Sequence, residues 1–326
     1  MADPRRPTRR PVDDEDAGVD GAGFEPFAPA RKRVPKEVQA KPATATVVEM
    51  VGKWVRVRFD PNPDAPAARQ GEARLRVRVE VVAGDRVWVE DEGDTCVVAG
   101  VAPRRTELRR SGNSGVRVVC ANADVLAVVS ASQDPPFRTG LVDRMLVAAG
   151  AAGLTAALVL NKCDTGMPDE VLERLAWYEH IGVPVFLLSA QQAKNLEAFQ
   201  EFLRGRTTVL AGHSGVGKSS LLRALVPGTD RAAGELDIWG RGKHTTTGAC
   251  AFEVPTGGTL VDLPGIREYG IGFVLKEELR GYFPELKGLE CHYADCAHDG
   301  EEGCEADEAC DPLRLESYRK LLEECV

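Results

Sequence analysis

The chain has 326 residues, is 43% hydrophobic and 28% charged, and carries a formal net charge of −9. These values are typical of a globular protein of two or three domains, and the negative charge argues against bulk affinity for nucleic acid. No apolar run reaches the roughly 18 residues of a membrane span, and the N-terminus lacks the apolar core of a secretion signal. We therefore predict a cytoplasmic protein without membrane segments.

The chain begins with a polar tail that is followed by a region of alternating residues. Residues 1–40 are rich in Pro, Arg, Asp and Ala without apolar periodicity, which predicts disorder. Within residues 41–111, apolar and polar residues alternate at 54–59, 75–82 and 86–90, which indicates half-buried strands. About five short strands in about 70 residues predict a small β-barrel of the OB type.

The barrel region is also the basic part of the chain. The segment from Val51 to Arg117 contains thirteen basic and ten acidic residues, so this region is favoured for any nucleic-acid contact. The alternating arginines of residues 74–80 can form either a solvated strand face or a surface for a phosphate backbone.

From Val118 the pattern changes to buried strands that alternate with helices. Near-continuous apolar runs occupy 123–131, 155–162, 183–190 and 206–214, with helix-like stretches between them. This alternation predicts a multidomain α/β protein whose main sheet is mostly parallel and covered on both faces. We place the α/β domain at residues 112–275 and a last, α-rich domain at residues 276–326.

A phosphate-binding loop is predicted at residues 212–219, which read "GHSGVGKS" after a buried strand and before a helical run. Glycines there allow backbone N–H groups to surround a β-phosphate at a helix N-terminus. We expect Lys218 to neutralise the β- and γ-phosphates and Ser219 to bind Mg²⁺. The predicted nucleotide contacts in this loop are Gly212, His213, Ser214, Gly215, Val216, Gly217, Lys218, Ser219 and Ser220.

The motif that selects the base is "NKCD" at residues 161–164. The Asp164 carboxylate can accept hydrogen bonds from N1–H and N2–H₂ of guanine, a donor pair that adenine lacks. We expect Asn161 to contact the far edge of the base and tie the loops together, and Lys162 to lay its stem on the ring. Ser189 and Ala190, which follow another buried strand, are predicted to back the base.

Two further segments complete a GTPase set. "DLPG" at residues 262–265 supplies Asp262 for Mg²⁺ and the Gly265 N–H for the γ-phosphate. "GKHTTTGA" at residues 242–249 supplies a magnesium-binding threonine, either Thr246 or Thr247.

The order of these motifs is rotated, because the base motif precedes the phosphate loop in the chain. A parallel sheet tolerates such a rearrangement when the old termini can be joined and the new break lies in an exposed loop. The sequence therefore predicts a circularly permuted P-loop GTPase domain in which no motif is missing.

The C-terminal region is predicted to bind a metal, since nine cysteines in a cytoplasmic chain indicate metal or structural roles. The spacing C-x₄-C-x-H-x₅-C supplies three thiolates and one imidazole, which suits a closed tetrahedral zinc site. His292 and Cys310 are alternative ligands. The segment has too few apolar residues to fold without a staple, so we predict one structural Zn²⁺ per chain, bound by Cys291, Cys296, His298 and Cys304.

These motifs together resemble a known family, the bacterial ribosome small-subunit-dependent GTPases, which are circularly permuted GTPases of 30S assembly. The likeness covers residues 45–326 and rests on the rotated order, "GHSGVGKSSLL", "GKHTTT", "DLPGIREYG" and the zinc spacing. It implies an OB barrel, a permuted GTPase domain and a zinc domain, binding to the 30S subunit and GTP hydrolysis that the subunit stimulates. We expect a monomer.

Two features depart from that family pattern. The N-terminal tail is long, and the segment from Glu285 onward contains thirteen acidic residues and four basic ones. Such an acidic region favours contact with basic ribosomal proteins over contact with rRNA. The main alternative function is a nucleotide-gated module for binding RNA or protein, in which hydrolysis is incidental. An ATP-dependent kinase is a weaker alternative, because "NKCD" argues for guanine.

The catalytic group is predicted from a substitution. Ras-like GTPases orient the attacking water with a glutamine after the glycine of "DxxG", and here Ile266 occupies that position. An aliphatic side chain cannot hydrogen-bond water, so intrinsic hydrolysis should be slow. We expect His244 to position the water, and the family resemblance points to the same residue. A purely solvated loop residue is the alternative role for His244.

Overall fold

The computed structural model describes residues 44–61, 69–76, 80–93, 95–112, 115–228, 249–263 and 269–326. The predicted N-terminal tail at 1–40 lies outside these ranges.

A five-stranded barrel forms the first part of the described chain. The strands are β1 (Ala45–Val51), β2 (Trp54–Phe59), β3 (Arg69–Leu75), β4 (Arg86–Glu92) and β5 (Thr95–Val101). They pair in the order β1-β2-β3-β5-β4, and β4 pairs again with β1 to close the barrel. Every second side chain along a strand points inward. The inward-pointing residues are largely β-branched and include Val47, Val55, Val57, Val87 and Val98. The predicted small closed barrel is confirmed.

One predicted strand is wrong in position. The alternation at 75–82 indicated a strand, but β3 spans Arg69–Leu75 and residues 80–82 are not in a strand. Val81 and Val82 are nevertheless buried, and Val81 packs in the barrel core. Residues 77–79 of this stretch lie outside the described ranges.

A mostly parallel sheet forms the second part, as predicted. Its parallel strands are β8 (Val125–Ala131), β9 (Thr155–Asn161), β10 (Val185–Leu187), β11 (Thr207–Ala211) and β13 (Thr259–Asp262). They lie in the order β10-β9-β8-β11-β13, and the antiparallel strand β12 (Cys250–Glu253) adds to β13.

Helices cover both faces of this sheet. They are α1 (Thr139–Ala152), α2 (Asp169–His180), α3 (Glu197–Leu203) and α4 (Lys218–Leu225). Because side chains alternate along a strand, Leu126 and Val128 of β8 pack with α1 and α2 while Ala127 and Val129 pack with α3 and α4. The run of apolar residues in β8 therefore reflects burial on both faces.

The barrel and the parallel sheet share hydrogen bonds. Strand β1 of the barrel pairs with β12, with Glu49 opposite Cys250, so both parts belong to one continuous sheet. Arg58 on β2 also donates to the Glu253 carboxylate at 2.7 Å. A separate hairpin, β6 (Glu107–Gly112) with β7 (Gly115–Ala121), contacts α1.

The C-terminal region packs against α1. It contains α5 (Lys276–Leu279), α6 (Ala306–Ala309) and α7 (Pro312–Glu324). Asp311 caps α7 by accepting hydrogen bonds from the N–H groups of Leu313 and Arg314, and Pro312 fits the first helical position. Among the described residues, no helix combines the length and apolar character needed to cross a membrane.

Candidate nucleotide site and metal cluster

The predicted nucleotide-binding motifs meet at one edge of the parallel sheet. From β8 the chain moves outward to β9 and β10, whereas from β11 it moves to β13 on the other side. The neighbours β8 and β11 thus mark a change of winding direction, and in open α/β sheets ligands bind at the carboxyl ends of the strands at such a point. The segments 161–164, 189–190 and 212–219 follow β9, β10 and β11 at that edge.

Asn161 joins three of these loops through its side chain. Its Nδ2 donates to the carbonyl of Val216 at 2.9 Å, and its Oδ1 accepts from the N–H of Ala190 at 2.9 Å. The residue is only 2% exposed. A Cβ at Gly217 would lie 2.3 Å from Asn161 Nδ2, so the close approach requires glycine there. The structure therefore brings the base motif and the phosphate loop together despite their rotated order.

The phosphate loop wraps closely over the end of the sheet. A Cβ at Gly212 would lie 2.1 Å from the carbonyl oxygen of Val129 on β8, so a side chain there would clash. Ser214 and Gly215 are exposed at the tip of the loop, and Ser219 is exposed in the first turn of α4. The loop's outer surface is therefore open, as binding of a phosphate chain requires.

Lys218 is folded back onto the loop. Its ammonium Nζ donates to the carbonyls of Gly212 at 2.7 Å and His213 at 3.0 Å, and the residue is 9% exposed. Burial lowers the pKa of Lys218, while the negative charge of Asp262 opposes that shift. Asp262 ends β13 and pairs with Leu210 on β11, so Asp262 lies beside the phosphate loop that follows β11.

The "NKCD" turn separates a buried residue from an exposed one. Asn161 ends β9 in the core, and Asp164 is exposed on a 3-10 turn, Cys163–Thr165. Lys162 has a left-handed backbone with φ of 63°, and its Nζ donates to the carbonyl of Asp134 at 2.6 Å. Ser189 is buried, and its hydroxyl accepts from the N–H of Gln192 at 3.2 Å.

Sequence reasoning missed the segment that follows β8. Ser132 Oγ donates to the carbonyl of Lys162, and Gln133 Nε2 donates to the carbonyl of Thr165. The Cδ of Pro135 lies 3.6 Å from the position a Cβ would take on Gly215. Its position in the sequence, directly after the apolar run of β8, could have indicated this role, because loops at the carboxyl ends of parallel strands border the ligand site.

The predicted switch residues fall outside the described ranges. They are His244, Thr246, Thr247, Gly265 and Ile266. The described strand β12 begins just after the first of these segments, and β13 ends just before the second.

The four predicted metal ligands form one cluster. The potential ligand atoms of Cys291, Cys296, His298 and Cys304 all lie within 4.8 Å of one another, and these residues could hold a metal ion. The Nδ1 of His298 lies 3.5 Å from the sulfur of Cys291 and 3.5 Å from that of Cys304.

The two alternative ligands lie outside this cluster. The Cys310 sulfur lies 3.6 Å from the carbonyl of Glu285, and the His292 ring packs edge-on against Tyr293 at 4.7 Å between centroids. Side chains of α7 hold the loop that carries this cluster, since Tyr318 donates to the carbonyl of Ala297 at 2.8 Å and Arg319 donates to that of His298 at 3.1 Å.

Comparison with known proteins identifies the family. The model of the family described as RsgA GTPase matches residues 101–272. The protein named Small ribosomal subunit biogenesis GTPase RsgA of Pseudomonas syringae pv. tomato is 37% identical over 294 residues, which cover 86% of this chain and 84% of the relative. The protein of the same name from Gemmatimonas aurantiaca is 36% identical, over 86% of this chain and 97% of the relative.

Two solved structures support the fold. YjeQ from Thermotoga maritima is 28% identical with a TM-score of 0.69, and the match covers 87% of this chain and 98% of that one. YloQ, described as a circularly permuted GTPase, matches with a TM-score of 0.65 at 22% identity, over 90% and 97% of the two chains. With the closed barrel and the Cys₃His cluster, these likenesses confirm the predicted fold class, a barrel joined to a permuted GTPase domain. By its family model and its relatives, this chain belongs to the RsgA GTPase family.

Proposed function

We propose that this protein is a GTPase that binds the small ribosomal subunit, acts in the biogenesis of that subunit and is stimulated by it. The observation that carries the proposal is the side chain of Asn161, which joins the base motif, the base-backing loop and the phosphate loop in one site. Family membership and the names of the relatives support the ribosomal role. Incidental hydrolysis by a binding module is not favoured, because the family is one of GTPases.

In this proposal the base is read by the turn after β9. The exposed carboxylate of Asp164 accepts the N1–H and N2–H₂ groups of guanine, and the stem of Lys162 covers the ring. Ser189 and Ala190 back the base. Since the Ala190 N–H is already bonded to Asn161, the base-backing loop and the base motif stay in a fixed relation.

The phosphates lie along the loop after β11. Lys218 exchanges its two carbonyl partners for β- and γ-phosphate oxygens, which relieves a buried and desolvated ammonium. A bound Mg²⁺ would neutralise phosphate charge there. The residues that would hold it are Ser219, Asp262 and either Thr246 or Thr247.

Hydrolysis depends on positioning a water at the γ-phosphate. We assign this role to His244, because Ile266 cannot hydrogen-bond water. The backbone N–H of Gly265 would contact the γ-phosphate. The small subunit would complete this arrangement, so that the protein hydrolyses GTP slowly until it binds. The N–H of Gly265 and the ammonium of Lys218 then stabilise the negative charge of the transferred group.

The metal in the C-terminal cluster would be zinc. With Zn–S bonds of about 2.3 Å and Zn–N bonds of about 2.0–2.1 Å, tetrahedral geometry separates sulfur from nitrogen by about 3.5 Å. The two sulfur–nitrogen distances to His298 are both 3.5 Å. A four-ligand site without an open position is structural, and here it would fold the loop that α7 supports.

The ribosomal contacts would come from both ends of the chain. The basic strands of the barrel suit the phosphate backbone of rRNA, while the acidic C-terminal region suits basic ribosomal proteins. We expect a cytoplasmic monomer, in keeping with a role on the ribosome.

Nucleotide competition with an Asp164→Asn variant tests the base assignment. Loss of the paired hydrogen bonds should cost about 1–3 kcal/mol, which weakens GDP binding by about 5–150-fold, and should favour xanthosine nucleotides. Asp169→Asn is the matched control, because this exposed carboxylate lies five residues further on in α2. If Asp164→Asn binds GDP as tightly as the parent, this turn does not read the base.

A further inference from the structure

We propose that Ser132 is a positioning residue for the base-reading turn and thereby helps to set selectivity for guanine. The inference rests on the proposed guanine site and adds to it a residue from the loop after a different strand. Ser132 follows β8 and is 2% exposed. Its Oγ donates to the carbonyl of Lys162 at 3.1 Å and lies 3.3 Å from Oγ1 of Thr165.

The register of the sheet places Ser132 beside this turn. Strands β8 and β9 are parallel, and Ala131 pairs with Asn161 as the last residue of each strand. The next residues, Ser132 and Lys162, therefore leave the sheet side by side. Ser132 thus enters the site from the neighbouring strand, and it holds the turn from outside the turn itself.

The turn needs to be held because its backbone is unfavourable. Lys162 has φ of 63°, a left-handed conformation that residues with a side chain rarely adopt and that persists where surrounding contacts enforce it. Its carbonyl accepts from Ser132 Oγ, from the Thr165 N–H at 3.0 Å and from Thr165 Oγ1 at 2.8 Å. Two of these contacts come from within the turn, and Ser132 alone among the three anchors it to the sheet.

The held carbonyl decides where Asp164 lies. Only Lys162 and Cys163 separate the buried Asn161 from the exposed Asp164, and Lys162 forms the reversal between them. Gln133 reinforces the same arrangement, since its Nε2 donates to the carbonyl of Thr165 at 3.2 Å. The Cys163 N–H also donates to the carbonyl of Leu188 at 3.2 Å, which holds the middle of the turn. Without the Ser132 hydroxyl, the turn loses the anchor at Lys162, and the Asp164 carboxylate samples positions that no longer meet both guanine donors together.

The phosphate loop does not depend on this anchor. Asn161 ties that loop through its own side chain, and Lys218 bonds to the loop's carbonyls. The inference therefore predicts a specific defect, in which recognition of the base edge weakens while phosphate binding is kept. A merely structural serine would weaken all nucleotides equally.

The test compares GDP with IDP, which lacks the exocyclic amine and so forms one hydrogen bond fewer to Asp164. Dissociation constants are measured by competition with a fluorescent GDP, using the full-length protein. In Ser132→Ala we expect about tenfold weaker GDP binding and less than about threefold weaker IDP binding, so that the selectivity ratio falls. Ser132→Thr retains the hydroxyl and should retain the ratio. Ser317→Ala, a buried serine in α7, is the matched control.

A second variant covers the case in which Ser132→Ala does not fold. Thr165 is exposed, and Thr165→Val removes the hydroxyl that bonds both Lys162 and Ser132. The selectivity ratio should fall in this variant as well, and less than additively when both changes are combined.

Several outcomes would overturn the inference. Equal weakening of GDP and IDP in both variants would make Ser132 a structural residue only, and unchanged GDP binding would mean that the turn holds itself. A parent protein that does not prefer GDP over ADP would instead refute the guanine site itself, and the inference with it.

Discussion

Replacement of Arg314 with methionine tests how the C-terminal region is held on the GTPase domain. Arg314 lies in α7 and is 3% exposed. Its Nη1 donates to the carboxylate of Asp143 in α1 at 2.5 Å, and its Nε donates to Glu285 at 2.8 Å. The guanidinium carbon also lies 5.0 Å from the ring centre of Trp177 and 4.3 Å from that of Phe283.

The expected cost follows from what the substitution leaves behind. Methionine fills much of the same space, but the carboxylates of Asp143 and Glu285 stay buried without a counter-charge. Removing one partner of a buried ion pair costs about 3–5 kcal/mol, against a typical total stability of about 5–15 kcal/mol. The Tyr178 hydroxyl, which donates to Asp143 at 2.6 Å, compensates only a part of that charge.

Urea unfolding followed by tryptophan fluorescence measures the effect, since Trp177 contacts the substituted residue. Lys320→Met is the matched control in the same helix, because its exposed pair with Glu316 is worth about 0.3–0.5 kcal/mol. Adding Asp143→Asn and Glu285→Gln to the variant should recover most of the loss. If the free energy of unfolding of Arg314→Met lies within about 1 kcal/mol of the parent value, as expected for Lys320→Met, then Arg314 does not neutralise a buried charge that matters for stability.

Three further predictions concern metal, catalysis and ribosome contact. The double variant Cys296→Ser, His298→Ala should contain no zinc by elemental analysis, whereas the parent should contain one ion per chain; unchanged zinc content would exclude this ligand set. His244→Ala should keep its nucleotide affinity and lose about 10²–10⁴-fold of the subunit-stimulated rate, measured by phosphate release; a full response to the subunit would exclude this role. Charge reversal at the exposed Lys53 and Arg74 of the barrel should weaken subunit binding and lower its salt dependence, the slope of log affinity against log salt, by about two. An unchanged slope would place the contact elsewhere.

Features that depend on local pattern could be predicted from the sequence. The clustering of Cys291, Cys296, His298 and Cys304 could be predicted from their spacing, since a short loop brings such side chains together. The apolar run of β8 predicted a strand buried on both faces, and Leu126 and Val129 do pack on opposite sides. The loop at residues 212–217 could be placed between a buried strand and a helix, because its glycines are followed at once by a helical run, and α4 does begin at Lys218.

Features that depend on long-range pairing could not be predicted. The hydroxyl of Ser132 bonds to the carbonyl of Lys162 in the turn after β9, thirty residues later, and nothing near Ser132 marks that contact. The pairing of β1 with β12 joins residues two hundred positions apart. From the sequence alone, Arg314 would be expected on the solvent-exposed face of its helix. It is buried because it pairs with Asp143 of α1, which is distant in the sequence. Alternation also misplaced β3, because Val81 is buried without belonging to a strand.

The most direct test of the proposed function is GTP turnover by the full-length protein with and without purified small ribosomal subunits, measured as phosphate release at saturating GTP. If the subunit completes the catalytic site, its addition should raise the turnover rate by about 10²-fold or more, with large subunits as the control that leaves the rate unchanged. Equal turnover with and without small subunits would contradict the account.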